Sequence, residues 1–562
     1  MRTNLVKKSI IAVVKKNKKF DILLVIAVFG VVIASLIPPQ ILKYIVDHNL
    51  VPKSSDRLLL LGLAYMVFLL LIGVFDFMKE AILTILGQKI TREVRLEMMQ
   101  KLKKINVMFF SSNATGTVVS RFTNDVDALS SLFTSGIVGM MVDFFKIIGI
   151  VASIWIFSSK LGSVTLLLLP IIYAITRLFQ KKMLTAQIAN RILVSKVNNH
   201  ISESLKNIQM IKTYSKESYM EKNYSSYLLD NYKTIEKVNF YDSIFSPIIQ
   251  LTRALVIAFI VILSSKQLNY LGISLGMVAA SIELISNLFS PIENLGMELQ
   301  NIQQAVSGIH RVNDFYSEPE DHCKDNELNI GEIIPSRADI RLSFNDVTFQ
   351  YEQGSNVLQN ISLHLNPLDK ISFVGRTGVG KSTLFKLVMG FLKPTSGSIT
   401  INGIDVYTIP NSEKRKIFGY VEQSFHMTNG TVAEQISLKD ENITKEQIEN
   451  VLDFVGLTDY ILSLENGINT TVSSDALFSQ GQKQLLAIAR AIVTNPPILL
   501  LDEVTANLDS ITEEKFISVL QKASHGHTIL SISHRLSSII SGDTVVTLEN
   551  GRVKSSSLML QY

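Results

Sequence analysis

With 562 residues, 47% of them hydrophobic, and a mean hydropathy of +0.28, the chain is too long for one ordinary domain and too apolar to live wholly in water. Its net charge of +5 is small for this length, and no basic stripe interleaved with aromatic residues runs through it, which argues against nucleic acid as a partner. A single cysteine, Cys323, excludes an intrachain disulfide and a thiolate metal cluster, and reads as a free thiol in a linker.

In chain order, Lys7, Lys8, Lys15, Lys16, Lys18 and Lys19 precede an apolar run from Phe20 to about Val46. A cleaved signal carries only about 7 to 15 apolar residues, so this run predicts a first membrane span with its lysines on the cytosolic side. A bilayer needs about 20 apolar residues in a helix. Six stretches meet or approach that length, near 20–46, 58–85, 135–158, 161–181, 246–265 and 270–296. The connections at Asp47–Arg57, Ser158–Lys160 and Leu268–Leu271 are short, whereas those at about 86–134 and 182–245 are long and rich in Lys and Arg. The long ones are expected to face the cytosol, which places both chain ends there too. Apolar residues recur at helical spacing through Val94, Met98, Leu102 and Ile105, and through Ile201, Leu205, Ile208 and Ile211. The long connections are therefore expected to be helices that project beyond the bilayer.

Ionisable residues inside spans are costly and usually face a cavity or a partner. Asp76, Lys79 and Glu80 stand at i, i+3 and i+4, a spacing that also lets Lys79 neutralise a carboxylate on its own helix face. With Asp143, Lys146, Arg253 and Glu283 they predict a partly polar, water-accessible lumen. Trp155 fits an interfacial anchor.

Residues 316–339 read as a linker, with Glu318, Pro319, Glu320, Asp321, Asp325, Gly331 and Pro335 and little periodicity. From residue 340 to 562 short apolar strands alternate with helical stretches, which predicts an α/β domain around a largely parallel sheet. Gly375-Arg376-Thr377-Gly378-Val379-Gly380-Lys381-Ser382 is a full match to the phosphate-binding P-loop, between a strand at Ile371–Val374 and a helix from Lys381. Its N–H groups and those of Thr383 would point at phosphate oxygens. Lys381 would reach the β and γ phosphates of ATP, and Ser382 would ligate Mg²⁺. The apolar strand Ile498–Leu501 ends in Asp502-Glu503: Asp502 would complete the Mg²⁺ site, and Glu503 would act as general base toward the attacking water. A third strand, Thr528–Ser533, ends in His534, expected to be functional because it follows the other two motifs in order. Between them, Phe478-Ser479-Gln480-Gly481-Gln482 opens a helical run and offers N–H groups and a hydroxyl to an anion.

These residues together resemble an ABC exporter half-transporter over the whole chain. Phe109-Phe110, Gly116, Ser120-Arg121 and Asn124-Asp125-Val126-Asp127 resemble that family's first cytosolic loop, and Glu203-Ser204-Leu205-Lys206-Asn207-Ile208, Ile211-Lys212, Tyr214 and Glu217 its second; each loop carries a short coupling helix in the family. Tyr351, the P-loop, Gln423, the Ser479–Gln482 signature, Asp502-Glu503, Asn507-Leu508-Asp509 and His534 follow in the family's order. The resemblance implies a six-helix membrane domain over 1–315 followed by an ATPase domain, in the cell membrane with the ATPase domain cytosolic. It implies that Tyr351 stacks on adenine, that Gln423 links the γ-phosphate and Mg²⁺ to the coupling loops, and that His534 contacts the γ-phosphate. Ser479, Gly481 and Gln482 would serve a partner's nucleotide, and Asp509 would sit at the seam between two such chains.

Two departures stand out: Gln480 replaces a glycine, and Val472–Leu477 lacks the Glu-x-Gly pattern that usually precedes the signature. The asymmetry predicts a heterodimer in which this subunit supplies the hydrolytic glutamate. The cargo, whether drug, lipid or peptide, is not fixed by the fold. No peptidase domain precedes the first span, so leader cleavage during export is not expected. The competing function is an ATP-binding sensor or regulatory subunit that moves nothing, which intact Glu503 and His534 disfavour.

Overall fold

The chain is described by a computed structural model covering residues 5–271, 274–321, 331, 334, 340–351, 354–423, 425–472, 477–503, 510–533 and 544–558. It divides into two compact units: Met1–Lys103 with Asn113–Glu318, and Lys104–Ser112 with Pro319–Tyr562.

The first unit is helical. In chain order its helices are α1 (Leu5–Lys16), α2 (Lys18–Ile45) and α3 (Leu58–Leu102), then, after α4 (Val107–Ser112) of the second unit, α5 (Thr115–Ser120), α6 (Val126–Ser131), α7 (Gly139–Phe157), α8 (Ser159–Lys206), α9 (Ile208–Thr213), α10 (Glu217–Leu271) and α11 (Leu275–Ser317). Among the described residues six helical stretches are long and apolar enough to cross a membrane, and each overlaps one of the spans expected from the sequence, although α10 runs through the expected Leu268–Leu271 connection and α11 starts only at Leu275. The helices run far past those spans, as the periodicity of the long connections predicts: α3 continues to Leu102, α8 to Lys206, and α10 begins at Glu217. Both long connections contain a six-residue helix, α4 and α9, in the segments that resemble coupling loops.

No residue in the most apolar window of α3 is buried, whereas half of that of α11 is. Water is absent around a bilayer-facing surface, so apolar exposure there is expected and the buried helix marks the centre of the bundle. Ile150, Ile154, Leu161, Ile172, Ile260, Leu284, Leu288 and Phe289 from α7, α8, α10 and α11 form its core. At one end Asp47 accepts from the Ser274 hydroxyl at 2.6 Å and from the Gly276 N–H at 2.8 Å, which caps α11. A Cβ at Gly276 would collide with the Lys43 carbonyl and the Asp47 carboxylate, so only glycine admits this approach. At the other end Arg311 on α11 grips buried Asp125 through two bonds, Nε to Oδ2 at 2.9 Å and Nη2 to Oδ1 at 2.5 Å. No signal in the sequence marks α1 as a separate element; its buried face of Val6, Ser9 and Val13, at helical spacing, packs on α3 and α11.

Among its described residues the second unit has the strands β1 (Leu342–Phe349), β2 (Leu358–Leu365), β3 (Lys370–Val374), β4 (Ser396–Ile401), β5 (Ile404–Asp405), β6 (Phe418–Val421), β7 (Gly430–Thr431), β8 (Thr471–Val472), β9 (Ile498–Asp502), β10 (Thr528–Ile532), β11 (Thr544–Glu549) and β12 (Arg552–Leu558). One sheet has the order β12-β11-β3-β10-β9-β6. It is parallel throughout except for β12, so the largely parallel sheet expected from the sequence is present. A second, antiparallel sheet, β2-β1-β4-β5, was not anticipated, because its strands lack a motif to distinguish them from the others. Phe344, Phe373 and Phe385 lie in the core between these layers. A separate core gathers Val432, Ile436, Leu452, Ile461, Phe478, Leu486 and Ile488 around the helix Gln480–Ile492. A division at residues 315/316 leaves Lys104–Ser112 with the membrane helices; the fold instead places this stretch in the second unit, and α11 continues to Ser317.

Candidate functional site

The ends of β3, β9, β6 and β10 lie side by side in one sheet, and the candidate site is built where they stop. In an open parallel sheet this edge is where ligands bind, because the loops and helix N-termini converge there. From β3 the chain turns through Gly375–Gly380 into the helix Lys381–Val388. Gly378 and Gly380 have φ of +85° and +104°, left-handed values that glycine adopts without a Cβ penalty and that a phosphate-binding loop requires. A Cβ at Gly380 would also sit 2.9 Å from Leu358 Cδ2 and 3.1 Å from the Val357 carbonyl. Lys381 is buried, and its ammonium donates to the carbonyls of Gly375 at 2.7 Å and Arg376 at 3.1 Å. Burial pushes its pKa below the usual lysine value, an effect opposed by the nearby Glu503 and Asp502. Ser382 is exposed at the helix N-terminus, whereas Thr383 is buried with its hydroxyl 3.1 Å from the Tyr351 hydroxyl. The Tyr351 ring stands edge-on to Phe349 with centroids 5.0 Å apart. Against the loop lies a cavity of about 780 Å³, walled by Ser355, Asn356, Gln359, Arg376, Thr377 and Glu549 among others.

Asp502 closes β9, buried, with the Tyr420 hydroxyl of β6 donating to its Oδ2 at 3.2 Å. Burial raises its pKa, and the Tyr420 bond and Lys381 work against that rise. Glu503 follows with φ of +47°, a left-handed conformation that costs a non-glycine residue about 1–2 kcal/mol. Its N–H donates to the Ile532 carbonyl at 3.1 Å, and the Gln423 amide nitrogen donates to its Oε2 at 2.8 Å. Strain of this kind at a strand end is characteristic of functional positions, where surrounding bonds hold it. The structure thus brings Lys381, Asp502, Glu503 and Gln423 to one edge. His534 and Asp509 lie outside the described residues, although Ser533 is held by its N–H to the Phe373 carbonyl at 3.2 Å.

Comparison with known proteins agrees with this geometry. Residues 22–292 match the ABC transporter transmembrane region, and residues 358–506 match the ABC transporter family of ATP-binding domains. The chain belongs to the ABC transporters. It is similar to the lactococcin-A transport/processing ATP-binding protein LcnC of Lactococcus lactis subsp. lactis, at 29% identity over 98% of this chain and 76% of that one. It is also similar to the ATP-dependent lipid A-core flippase of Syntrophus aciditrophicus, at 26% identity over 91% and 85%. Among solved structures it resembles a bacterial Atm1-family ABC exporter with ATP bound, with a TM-score of 0.77 at 22% identity over 96% of this chain and 95% of that one. As an ABC half-transporter, the chain is a multi-pass membrane protein and a nucleotide-binding ATPase coupled to transmembrane transport.

In this ABC transporter chain the signature segment opens the helix Gln480–Ile492 with Ser479 as its cap. Ser479 Oγ accepts from the Gln482 N–H at 3.2 Å, and Gln482 Oε1 accepts from the Ser479 N–H at 2.8 Å, a capping box that fixes the loop before any ligand arrives. Gly481 is buried, whereas Gln480 is exposed, with its side chain on the outside of the first turn. Tyr460 donates to the Leu477 carbonyl and packs on Phe478, which anchors the approach to the signature. Two residues of this site went unrecognised in the sequence. Tyr420 carries no motif, and Gln484, fully buried, donates to the Gln423 carbonyl at 3.0 Å and so ties the signature helix to the Gln423–Glu503 pair. A glutamine on the apolar face of an amphipathic helix was the available signal for the latter.

Of the ionisable residues in the spans, Asp76, Lys79, Glu80, Asp143 and Lys146 line one cavity of about 520 Å³ in the first unit. Lys79 pairs with Asp76 at 2.8 Å and Glu80 at 3.3 Å, as their spacing predicts. Arg253 and Glu283 do not line that cavity; Glu283 accepts from the Tyr65 hydroxyl at 3.2 Å. Trp155 is exposed on α7, and Gly162 at the start of α8 fits against it.

Proposed function

We propose that this chain is the hydrolysis-competent half of a heterodimeric ATP-driven exporter in the cell membrane, with its ATPase unit in the cytosol. The observation that carries the hydrolytic reading is the Gln423–Glu503 bond of 2.8 Å beside Lys381 and Asp502. Each chain residue has a distinct task. The loop N–H groups and the N-terminus of the helix Lys381–Val388 receive the phosphate oxygens of ATP. Lys381, desolvated and donating to the loop carbonyls of Gly375 and Arg376, exchanges those bonds for phosphate oxygens with a gain in charge pairing. Tyr351, whose hydroxyl lies 3.1 Å from that of Thr383 just after the loop, is assigned to stack on the base. Glu503, oriented by Gln423, takes the proton of the attacking water. The oxygens of Ser382, Gln423 and Asp502 form the kind of hard donor set that suits Mg²⁺, and the buried Asp502 carboxylate gains most from a cation beside it. Mg²⁺ would there neutralise charge on the β and γ phosphates. Ser479, Gly481 and Gln482, with Asp509 and His534, are assigned to the shared nucleotide sites of the dimer.

The heterodimer is supported by the contrast between this hydrolytic set and a signature that carries Gln480 at an exposed first-turn position. The relatives named as a lactococcin transporter and a lipid flippase support export of a peptide, lipid or other amphipathic cargo. Purification through a tag on this chain is expected to yield an equimolar complex with a different ABC chain, showing ATPase activity and ATP-dependent flux into inverted vesicles. A homodimer with full activity overturns the heterodimer, and ligand-responsive ATPase without flux of any cargo favours the sensor instead.

A further inference from the structure

We infer that the polar cavity of the membrane unit is a binding site for the cationic group of an organic cargo, anchored by Glu298. The inference rests on the export reading above and names the chemistry of what is exported. The cavity, of about 520 Å³, falls within the range that takes a small organic molecule. Its walls carry four carboxylates, Asp76, Glu80, Asp143 and Glu298, against two ammoniums, Lys79 and Lys146. Lys79 is committed to Asp76 and Glu80 at 2.8 and 3.3 Å on its own helix. Asp143 and Glu298, from α7 and α11, are 6% and 7% exposed, and Glu298 Oε2 has no hydrogen-bond partner among the described residues. A carboxylate oxygen held out of water with no partner is expensive, and a positive charge brought beside it relieves most of that cost. Gly139 on α7 leaves open the space that Glu298 Oε1 occupies, so a Cβ there would displace the carboxylate. Ser290, Asn294 and Asn301 add neutral polar atoms that orient a ligand without offsetting the negative balance. An anionic cargo would meet the surplus carboxylates and is disfavoured.

The test uses the assembly purified through this chain and a pair of probes alike in size and shape but opposite in charge, tetraphenylphosphonium and tetraphenylborate. Radiolabelled tetraphenylphosphonium is expected to bind saturably, to be displaced poorly by tetraphenylborate, and to bind at least tenfold more weakly to Glu298→Gln. Asp143→Asn is a second variant that leaves Glu298 in place, with an expected loss of at least threefold. Variants are compared after gel filtration, so that a misfolded Glu298→Gln leaves Asp143→Asn to decide. Equal binding of the two probes, or unchanged binding in the folded variants, overturns the inference. Binding that follows this pattern without ATP-driven flux of any cargo would leave the cation site standing and sink the export reading; flux of a neutral or anionic cargo with no tetraphenylphosphonium binding would do the reverse.

Discussion

Replacing Glu503 by glutamine isolates the proposed chemistry from the architecture around it. Gln423 donates its amide nitrogen to Glu503 Oε2 at 2.8 Å, and a glutamine at position 503 offers a carbonyl oxygen to the same donor. The N–H bond of residue 503 to the Ile532 carbonyl is untouched. What is lost is the basic oxygen, which as a general base contributes about 10²–10⁴-fold, or about 3–5 kcal/mol of barrier. ATPase activity of the purified assembly should fall by that factor, while ATP affinity, set by the loop and Lys381, stays within about threefold. Gln423→Ala provides the internal scale. It removes one bond to a charged acceptor, about 1.5–3 kcal/mol when fully buried, and Gln423 is exposed, so the lower end applies and that bond alone accounts for a loss of roughly tenfold, to which the loss of its oxygen beside Mg²⁺ adds. A phosphate-release assay at saturating Mg-ATP, paired with nucleotide titration, measures both. If Glu503→Gln hydrolyses within a few-fold of the parent, Glu503 is an ordinary strand-end charge and the assignment of the base is wrong.

Gly380→Ala should cost about 1–2 kcal/mol for the left-handed φ of +104° and about 1–3 kcal/mol for crowding against Leu358 and Val357, seen as a lower melting temperature and at least tenfold weaker ATP binding. Asp502→Asn separates stability from function. Because burial raises the Asp502 pKa, the stability linked to its proton is present below the ordinary carboxylate pKa and lost as pH rises through the folded value. The variant should therefore melt higher than the parent at neutral pH without nucleotide, with the difference vanishing toward pH 4, and should lose Mg²⁺-dependent hydrolysis. Arg311→Ala strands the buried Asp125 carboxylate at the end of α11; with Arg311 itself half exposed, a loss of about 1–3 kcal/mol is expected in detergent-solubilised melting, and Arg311→Lys should recover only part of it.

What the sequence disclosed follows from how local each constraint is. The P-loop is legible because its glycines, lysine and serine act within one turn of chain, and the structure shows the left-handed φ values that the motif requires. Asp502 and Glu503 are legible because a strand end presents them together. Gln423 entered only through family resemblance, and Tyr420 and Gln484 not at all, since their roles arise from strand order and helix docking. The spans were legible by hydropathy, whereas Glu298 fell beyond the expected sixth span: it sits where α11 trades an apolar run for amphipathic spacing and continues to Ser317. Its meaning depends on Gly139, far away in sequence, leaving room for it.

Lys104–Ser112 belongs to the ATPase unit although more than two hundred residues separate it from Pro319. It is held there by main-chain bonds, Asn106 N–H to the Pro319 carbonyl at 3.3 Å and Asp321 N–H to the Lys104 carbonyl at 2.8 Å, and Met108 rests on the β-sheet core. A chimaera that exchanges only the carboxy-terminal half between relatives would therefore leave behind a nine-residue piece of the engine. Domain grafts in this chain should succeed when that piece travels with its host and fail when the cut respects sequence order alone.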